Sequence, residues 1–267
     1  MNVVQYYRME SNISTKAKTD FQSRLHLPQC QSTNDELLKR LSGSDSELPE
    51  GFIISTDHQA AGRGQRGAVW ESQQGQNLLF SLYLKPTFLP MKHAFWLSAA
   101  VATSIRLAME EMGVSLKVKW PNDLLSEDAK LGGILIENAT SGFNVDRSVI
   151  GIGLNINQLD LPSGACSMAT LTGKSHDRDT VLQKIRESVF LQYHILRTGG
   201  WEKIRSGYYA GLYRMGSVHS YFLPDGTVFS AILKGITEEG QLVLLSQNGE
   251  KRFWFKEVTF DRTKGLE

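Results

Sequence analysis

The chain has few cysteines, no long apolar run and almost no net charge, and each shortage excludes a class of protein. Its 267 residues include two cysteines, Cys30 and Cys166, which form neither a disulfide framework nor a C-x-x-C motif. A run of about 18 apolar residues and the apolar core of a signal peptide are both lacking, so we expect a cytoplasmic protein. The net charge of +1 gives no support for bulk attraction to nucleic acid or membranes. The six histidines are scattered without metal-ligand spacing.

Glycine and positive charge are instead concentrated in the stretch His58–Trp70. Three glycines and two arginines fall between Gly62 and Gly67. Glycines let backbone N–H groups form a concave anion-binding surface, and arginines add fixed charge with forked donors. Such a loop suits a phosphate. Because it has little apolar weight, we expect it to be mobile until a ligand orders it.

This loop matches two familiar glycine motifs, and the surrounding sequence excludes both. The dinucleotide motif G-x-G-x-x-G requires a helix directly after the loop, but Asn77–Leu84 is typical of a second strand. The kinase motif G-x-G-x-x-G-x-V requires H-R-D and D-F-G elsewhere, and the sequence contains neither. We therefore interpret Gly62–Gly67 as a ligand-binding loop between two strands, the first being Gly51–Thr56.

Ser32-Thr33-Asn34 stands at the start of a predicted helix that runs to about Leu41. Thr33 with Glu36 matches a capping box, which explains these side chains without a ligand. A helix N-terminus also presents donors to a bound molecule. The capping and ligand-binding interpretations are therefore compatible.

A predicted strand over Leu116–Trp120 places Lys119 on the face opposite its apolar residues. Pro121 ends the strand, which leaves Asn122 and Asp123 where chains often position chemical groups. An Asn-Asp pair after proline is also a common turn. Taken alone, this segment does not decide between the two interpretations.

Two further apolar strands carry glycines and polar residues. Lys130 begins the first strand, in which Gly133 permits the close approach of a ligand or another backbone. In the second strand Gly151, Gly153 and Asn155 share one alternation, which is typical of the floor of a small-molecule pocket. A lysine at the mouth of a strand is otherwise commonly a solvated residue.

The remaining pattern predicts an α+β fold with an appended β-domain. Apolar spacing predicts helices over His93–Met112 and over 179–198, the second capped by Asp179 or Thr180 and ended by Gly199-Gly200. After about Met215-Gly216, turn signals separate short strands typical of a small β-barrel. These strands are Val218–Phe222, Thr227–Ile236, Gln241–Ser246 and Phe253–Phe260.

In order and spacing, the motifs together resemble the biotin–protein ligases. The resemblance covers about Leu25 to Phe260. It implies a mixed-sheet catalytic domain over 25–214, related to class II aminoacyl-tRNA synthetases, an SH3-like domain over 215–267 and an N-terminal extension over 1–24. The motifs that carry it are Ser32-Thr-Asn34, Gln59-Ala-Ala-Gly-Arg-Gly64, Trp70, Lys119-Trp-Pro-Asn-Asp123, Lys130-Leu-Gly-Gly-Ile-Leu135 and Gly151-Ile-Gly-Leu-Asn155.

The resemblance implies a two-step reaction. Biotin and MgATP give biotinyl-5′-AMP, which acylates one lysine of a biotin carboxyl carrier protein. The catalytic residues would be Lys130, Arg63 and Arg66, with Mg²⁺ carried mainly by ATP and its protein ligands unassigned. Biotin would contact Ser32, Thr33, Asn34, Gln59, Arg63, Gly64, Gln65, Lys130, Gly133 and Gly151. ATP would contact Arg66, Trp70, Lys119, Asn122 and Asn155.

The sequence departs from the family pattern at two places. The family's loop often reads Gly-Arg-Gly-Arg, whereas Gln65 occupies the fourth position here and Arg66 follows. Either Arg66 makes the missing contact, or the intermediate is held with less positive charge. Residues 1–24 are too few for a DNA-binding domain, so we expect no DNA binding and leave monomer and homodimer open.

Two other functions remain as alternatives. A lipoate or octanoate ligase or transferase shares the fold, but an octanoyltransferase would need a nucleophilic cysteine, for which Cys166 is a remote candidate. A non-catalytic biotin-binding regulator is disfavoured because Lys130 and both loop arginines are present.

Overall fold

A computed structural model of the chain describes residues 23–43 and 48–261, and their larger part is a mixed sheet with helices packed on it. In the described chain this sheet has seven strands in the order β1-β2-β3-β7-β6-β5-β4, with β1 and β2 parallel and the other neighbours antiparallel. The predicted mixed α+β architecture is confirmed. The strands are β1 (Arg24–Leu27), β2 (Ile53–Thr56), β3 (Leu78–Leu84), β4 (Lys117–Lys119), β5 (Asp123–Ser126), β6 (Ala129–Ser141) and β7 (Asn144–Leu154).

The central strand β3 is buried along its whole length because side chains pack on both faces of the sheet. Phe80 and Leu82 point into the larger core, whereas Tyr83 points into a smaller one. The smaller core is completed by Leu37 and Leu41, which lie four residues apart on one face of a helix. That helix, α1 (Thr33–Ser42), thereby brings its N-terminus against β3 and β7.

Two long helices build the other layer. Helices α2 (Phe95–Glu111) and α4 (Arg178–Arg197) pack against each other over the larger core, which confirms both predicted helices. The predicted cap of α4 was wrong. Asp177 caps the helix, because its Oδ1 accepts from the backbone N–H of Asp179 at 2.7 Å and of Thr180 at 3.4 Å. Within the described ranges, no helix is long and apolar enough to cross a membrane.

Three short elements were not predicted. Helix α3 (Met168–Thr172) follows β7, and helix α5 (Trp201–Ala210) begins directly after the glycine pair that ends α4. Strand β5 was read as a loop, but its residues pair with β4 on one side and β6 on the other. This pairing makes 117–126 a tight hairpin around Trp120-Pro121.

The C-terminal part of the described chain forms a second, antiparallel sheet in the order β11-β10-β9-β8-β12. Its three predicted turns are confirmed, since Gly226, Gly240 and Gly249 all have a positive φ, which glycine adopts without strain. The last predicted strand, Phe253–Phe260, was mostly wrong, because within it only Phe253 and Thr259–Phe260 are in strands. The five strands are β8 (Val218–Phe222), β9 (Val228–Ile236), β10 (Leu242–Ser246), β11 (Gly249–Phe253) and β12 (Thr259–Phe260).

Hydrogen bonds from three aromatic side chains attach the second sheet to the larger part of the chain. Trp96 donates its indole N–H to the carbonyl of Glu238 at 3.0 Å, and Trp120 donates to the carbonyl of Gly240 at 2.9 Å. The hydroxyl of Tyr209 both donates to the carbonyl and accepts from the N–H of Ile236, each at 3.0 Å. The turn after β9 is therefore held by side chains of α2, α5 and the 117–126 hairpin.

Candidate functional site

A cavity of about 430 Å³ lies where the two sheets and the glycine-rich loop meet. Its floor is the start of β6 and the end of β7, where Gly133 pairs with Gly153 in the antiparallel register. The start of α1, the 62–70 loop, the 119–123 segment and the second sheet form its walls. The predicted site residues that line it are Ser32, Thr33, Asn34, Gln59, Arg63, Gly64, Gln65, Trp70, Lys119, Asn122, Lys130, Gly133 and Gly151.

At the start of α1, the predicted capping box was wrong by one residue. Ser32 is the N-cap, with its Oγ accepting from the backbone N–H of Asp35 at 3.5 Å. Thr33 is free of that task, and its N–H and hydroxyl both donate to Oε1 of Gln59, at 2.8 and 3.1 Å. The hydroxyl oxygen of Ser81 lies 2.7 Å from Oγ1 of Thr33. Neutral donors and acceptors thus line this side of the cavity.

Asn34 ties this wall to the floor. It is 3% exposed, and its Oδ1 also lies 2.6 Å from the hydroxyl of Ser81. Its Nδ2 donates to Oε2 of Glu137 at 2.6 Å. A Cβ added at Gly151 would lie 2.5 Å from Oδ1 of Asn34, so only glycine leaves room for the amide. Neither Ser81 nor Glu137 was a predicted site residue, although each is a polar residue in an apolar strand.

The glycine-rich loop forms a small hairpin. The N–H of Gly64 donates to the carbonyl of Ala68 at 2.7 Å, and the N–H of Trp70 to the carbonyl of Gly62 at 2.9 Å. Residues Gln65–Gly67 make a single 3₁₀ turn at its tip. The Arg66 side chain lies outside what the structure describes, so its predicted contact stays a prediction.

Arg63 is paired with two carboxylates. Its Nη2 donates to Asp35 of α1 and lies 3.3 Å from Oε2 of Glu137. The Arg63 side chain is 44% exposed, so it remains within reach of solvent and of a ligand in the cavity. Its charge is partly neutralised by both partners before any ligand binds.

Trp70 lies across the floor of the cavity. A Cβ at Gly153 would stand 2.7 Å from the indole, and one at Gly62 would stand 2.4 Å from the Trp70 carbonyl. Both glycines are therefore required by the position of Trp70. The indole Nε1 is buried and lacks a hydrogen-bond partner among the described atoms. A buried donor of this kind at a cavity wall is typical of a site that a ligand or water completes.

Lys130 and Asp123 form an ion pair inside the cavity. Nζ of Lys130 lies 2.6 Å from Oδ1 of Asp123 and 5.9 Å from the centre of the Trp70 ring. Asn122 lies beside them and donates its amide to the carbonyl of Ile134 at 2.8 Å. Lys130, predicted at the mouth of a strand, is 34% exposed and is held by the Asp123 carboxylate.

The second sheet supplies a wall that the sequence motifs did not predict. Nζ of Lys119 lies 5.4 Å from the centre of the Phe260 ring, within the range of a cation–π contact. Phe255, Val258 and Thr259 complete this wall. No local motif marks these residues, because they reach the cavity only through the packing of the second sheet against the rest of the chain.

Asn155 does not line the cavity. Strand β7 ends at Leu154, so the alternation that joined Asn155 to Gly151 and Gly153 stops one residue too early. The Asn155 amide is 5% exposed and donates to the carbonyl of Cys166 at 3.1 Å. Its predicted contact with ATP is untested.

Both cysteines are free and buried. Burial is the largest influence on the pKa of the Cys166 thiol, and it raises that pKa. A thiol whose pKa is raised is a poor nucleophile, since the thiolate is the reactive form. Cys166 is also absent from the cavity lining, so the structure disfavours the octanoyltransferase alternative.

The chain is similar in sequence to known biotin ligases. A model of the biotin/lipoate A/B protein ligase family matches residues 27–155. The bifunctional ligase/repressor BirA of Bacillus subtilis (strain 168) is 31% identical over 222 residues, covering 80% of this chain and 68% of that protein. The chain belongs to the biotin protein ligase family. It is therefore an enzyme of the ligase class.

Two further comparisons agree with this family. The biotin–[acetyl-CoA-carboxylase] ligase of Mycobacterium tuberculosis is 30% identical over 227 residues, covering 81% of this chain and 80% of that protein. The biotin protein ligase of Aquifex aeolicus, solved in complex with biotin and ATP, matches with a TM-score of 0.75 at 24% identity. That match covers 91% of this chain and 100% of the other, and it shows that the two share a fold.

Proposed function

We propose that this cavity performs both half-reactions of biotin–protein ligation. Biotin and ATP form biotinyl-5′-AMP, and the biotinyl group then passes to one lysine of a biotin carboxyl carrier protein. The observation that carries the proposal is the division of one cavity into two parts. A neutral polar wall around Thr33 and Gln59 adjoins a cationic part around Lys119 and Lys130.

In the first step, a carboxylate oxygen of biotin attacks the α-phosphorus of ATP and pyrophosphate leaves. The nucleophile is already ionised, so the step needs alignment and charge neutralisation rather than a general base. Lys130, Lys119 and Arg63 supply positive charge from three sides of the cavity. Arg66 adds a fourth charge in this assignment, compensating for Gln65 in the loop.

The neutral wall suits the ureido ring of biotin, which both donates and accepts hydrogen bonds. Ser32, Thr33, Asn34 and Gln59 provide such partners on this side. Gly133 and Gly151 keep the floor flat, because a side chain at either position would project into the cavity or against its lining. Gly64 and Gln65 close the same side through the loop.

ATP takes the other half of the cavity. Trp70 offers a ring face for the adenine, and Asn122 lies beside it with Lys119. Mg²⁺ enters with the phosphates of ATP. Among the described residues, no group of three or more His, Cys, Asp or Glu could hold a metal. The cavity carboxylate of Asp123 is already paired with Lys130, which fits a metal held mainly by the nucleotide.

In the second step, the amine of the carrier lysine attacks the acyl carbon of the adenylate and AMP leaves. The acceptor in this proposal is the carrier domain of a biotin-dependent carboxylase. The buried free cysteines are compatible with the cytoplasm, where thiols stay reduced.

We also propose a boundary near residue 215 between a catalytic domain and an SH3-like domain. The five-stranded antiparallel sheet of the described C-terminal part supports the second domain. It serves the reaction by closing the cavity with residues 255–260. The oligomeric state, monomer or homodimer, is left to measurement.

The test is exchange of labelled pyrophosphate into ATP, followed by transfer of labelled biotin to a carrier domain. Biotin should stimulate the exchange, whereas lipoate and octanoate should not. Mass spectrometry of the carrier should find one modified lysine. Exchange that responds to lipoate but not to biotin would overturn the proposal in favour of a lipoate ligase.

A further inference from the structure

Glu137 contacts two predicted site residues from a position outside the cavity lining. It lies on β6, and its side chain is 31% exposed. Its Oε2 accepts from Nδ2 of Asn34 at 2.6 Å and from Nη2 of Arg63 at 3.3 Å. Its Oε1 accepts from the same nitrogen of Arg63 at 3.4 Å. One carboxylate thus joins the floor of the cavity to the glycine-rich loop.

The contact with Asn34 decides the orientation of a buried amide. Oδ1 of Asn34 accepts from the hydroxyl of Ser81, and Nδ2 is directed at Glu137, with the carbonyl of Leu135 more distant at 3.4 Å. A carboxylate only accepts, so it selects the amide orientation that presents Nδ2. A flipped amide would place Oδ1 against Oε2 of Glu137, so that two acceptors would face each other with no proton between them.

The contact with Arg63 acts on the loop. Asp35 and Glu137 hold the guanidinium between α1 and β6, so the loop is attached to both sides of the neutral wall. Each pair is partly exposed and contributes little to folding stability. The two ion pairs therefore act mainly by positioning the loop. The backbone of Gly64 and Gln65 is placed beside the Thr33 wall before substrates arrive.

We propose that Glu137 is a positioning residue of this ligase, which orients Asn34 in the biotin-side floor and anchors the glycine-rich loop through Arg63. The assignment rests on the proposed function. Glu137 acts through its two neighbours, since it does not itself line the cavity. The two contacts predict two separable defects, one in biotin binding and one in retention of biotinyl-AMP.

Two substitutions separate these defects. Glu137→Gln keeps an acceptor for Asn34 but turns an N–H group towards Arg63. We expect KM for biotin to change less than about twofold and the release of biotinyl-AMP to accelerate about threefold, the scale of one exposed ion pair. Glu137→Ala removes both contacts. It should raise KM for biotin about tenfold, the scale of a hydrogen bond to a charged group, while kcat for adenylation falls less than about threefold.

Glu50→Gln is the matched control. Glu50 accepts from Tyr193 at 2.7 Å and from Arg197 at 2.5 Å, away from the cavity, so its loss reports stability alone. It should lower Tm without changing KM for biotin or adenylate release. Calorimetric titration with biotin provides a readout independent of turnover.

The outcomes test the role of Glu137 separately from the proposed ligase function. Glu137 variants that behave like Glu50→Gln in an active ligase would overturn the positioning role and leave the function intact. A wild-type protein that neither binds biotin nor exchanges pyrophosphate would overturn the proposed function, and the role of Glu137 with it. Equal effects of Glu137→Gln and Glu137→Ala on KM for biotin would refute the separate action on Asn34.

Discussion

Replacing Lys130 by methionine removes the ammonium group from the cavity while keeping most of the side-chain volume. Two unit charges about 4 Å apart interact by about 4 kcal/mol at an effective dielectric constant near 20, and by about 1 kcal/mol in water. Lys130 is 34% exposed, so its attraction for a phosphoryl oxygen lies between these limits. Loss of one positioned donor commonly costs about a hundredfold or more in kcat. We therefore expect adenylation to slow by about a hundredfold.

The ion pair with Asp123 sharpens this prediction. In Lys130→Met the Asp123 carboxylate stays in the cavity without the neutralising charge of Lys130, and it repels the phosphates. The double variant Lys130→Met with Asp123→Asn removes this repulsion, so it should be about tenfold faster than Lys130→Met alone, on the same Coulomb estimate.

The assay is single-turnover formation of biotinyl-AMP, with thermal unfolding as the control for folding. A partly exposed ion pair contributes about 0–1 kcal/mol, so Tm should fall by less than about 4 °C. A folded Lys130→Met protein with near-normal adenylation would show that Lys130 is a solvated lysine and does not stabilise the transition state.

Two further predictions concern the floor and the loop. Gly153→Ala would place a Cβ 2.7 Å from the Trp70 indole, so Trp70 must shift. In pyrophosphate exchange, KM for ATP should rise about tenfold while KM for biotin stays nearly unchanged. Equal changes in the two KM values would contradict an adenine-binding role for Trp70. Limited trypsin digestion should cleave the loop at Arg63 and Arg66 without ligands and be suppressed by biotin with ATP, because phosphate contacts offset the entropy lost on ordering. Ligand-independent cleavage would show that the loop is a plain connector.

Much of the cavity could be predicted from the sequence because its residues stand at the ends or turning points of strands. Lys130 and Gly151 lie on consecutive strands, which pair as an antiparallel hairpin, so residues of both meet at the cavity. The glycines had a local signal too, since glycine in an apolar strand marks close approach. The roles of these lysine and glycine positions could therefore be predicted without knowing the tertiary packing.

Other parts depended on contacts between distant segments. Phe260 reaches the cavity only because the second sheet is docked on the first, and nothing within 255–260 indicates that docking. Ser81 stands in an otherwise apolar strand, where a hydroxyl implies a partner, but not which one. The segment after Pro121 was predicted as a turn and short loop, but Asp123–Ser126 is a strand because it pairs on both sides. The cap of α1 moved to Ser32 because Gln59 engages Thr33.

The attachment of the turn after β9 determines how molecules enter and leave the cavity. Swinging the second sheet away would break the indole bonds of Trp96 and Trp120, and it would bring the Phe95 ring, packed against Gly240, into water. Opening the 62–70 hairpin breaks two backbone hydrogen bonds across it and the partly exposed ion pairs of Arg63 with Asp35 and Glu137. Opening the loop therefore costs less free energy than moving the second sheet. We therefore expect biotin, ATP and the acceptor lysine to reach the cavity on the side of the 62–70 loop.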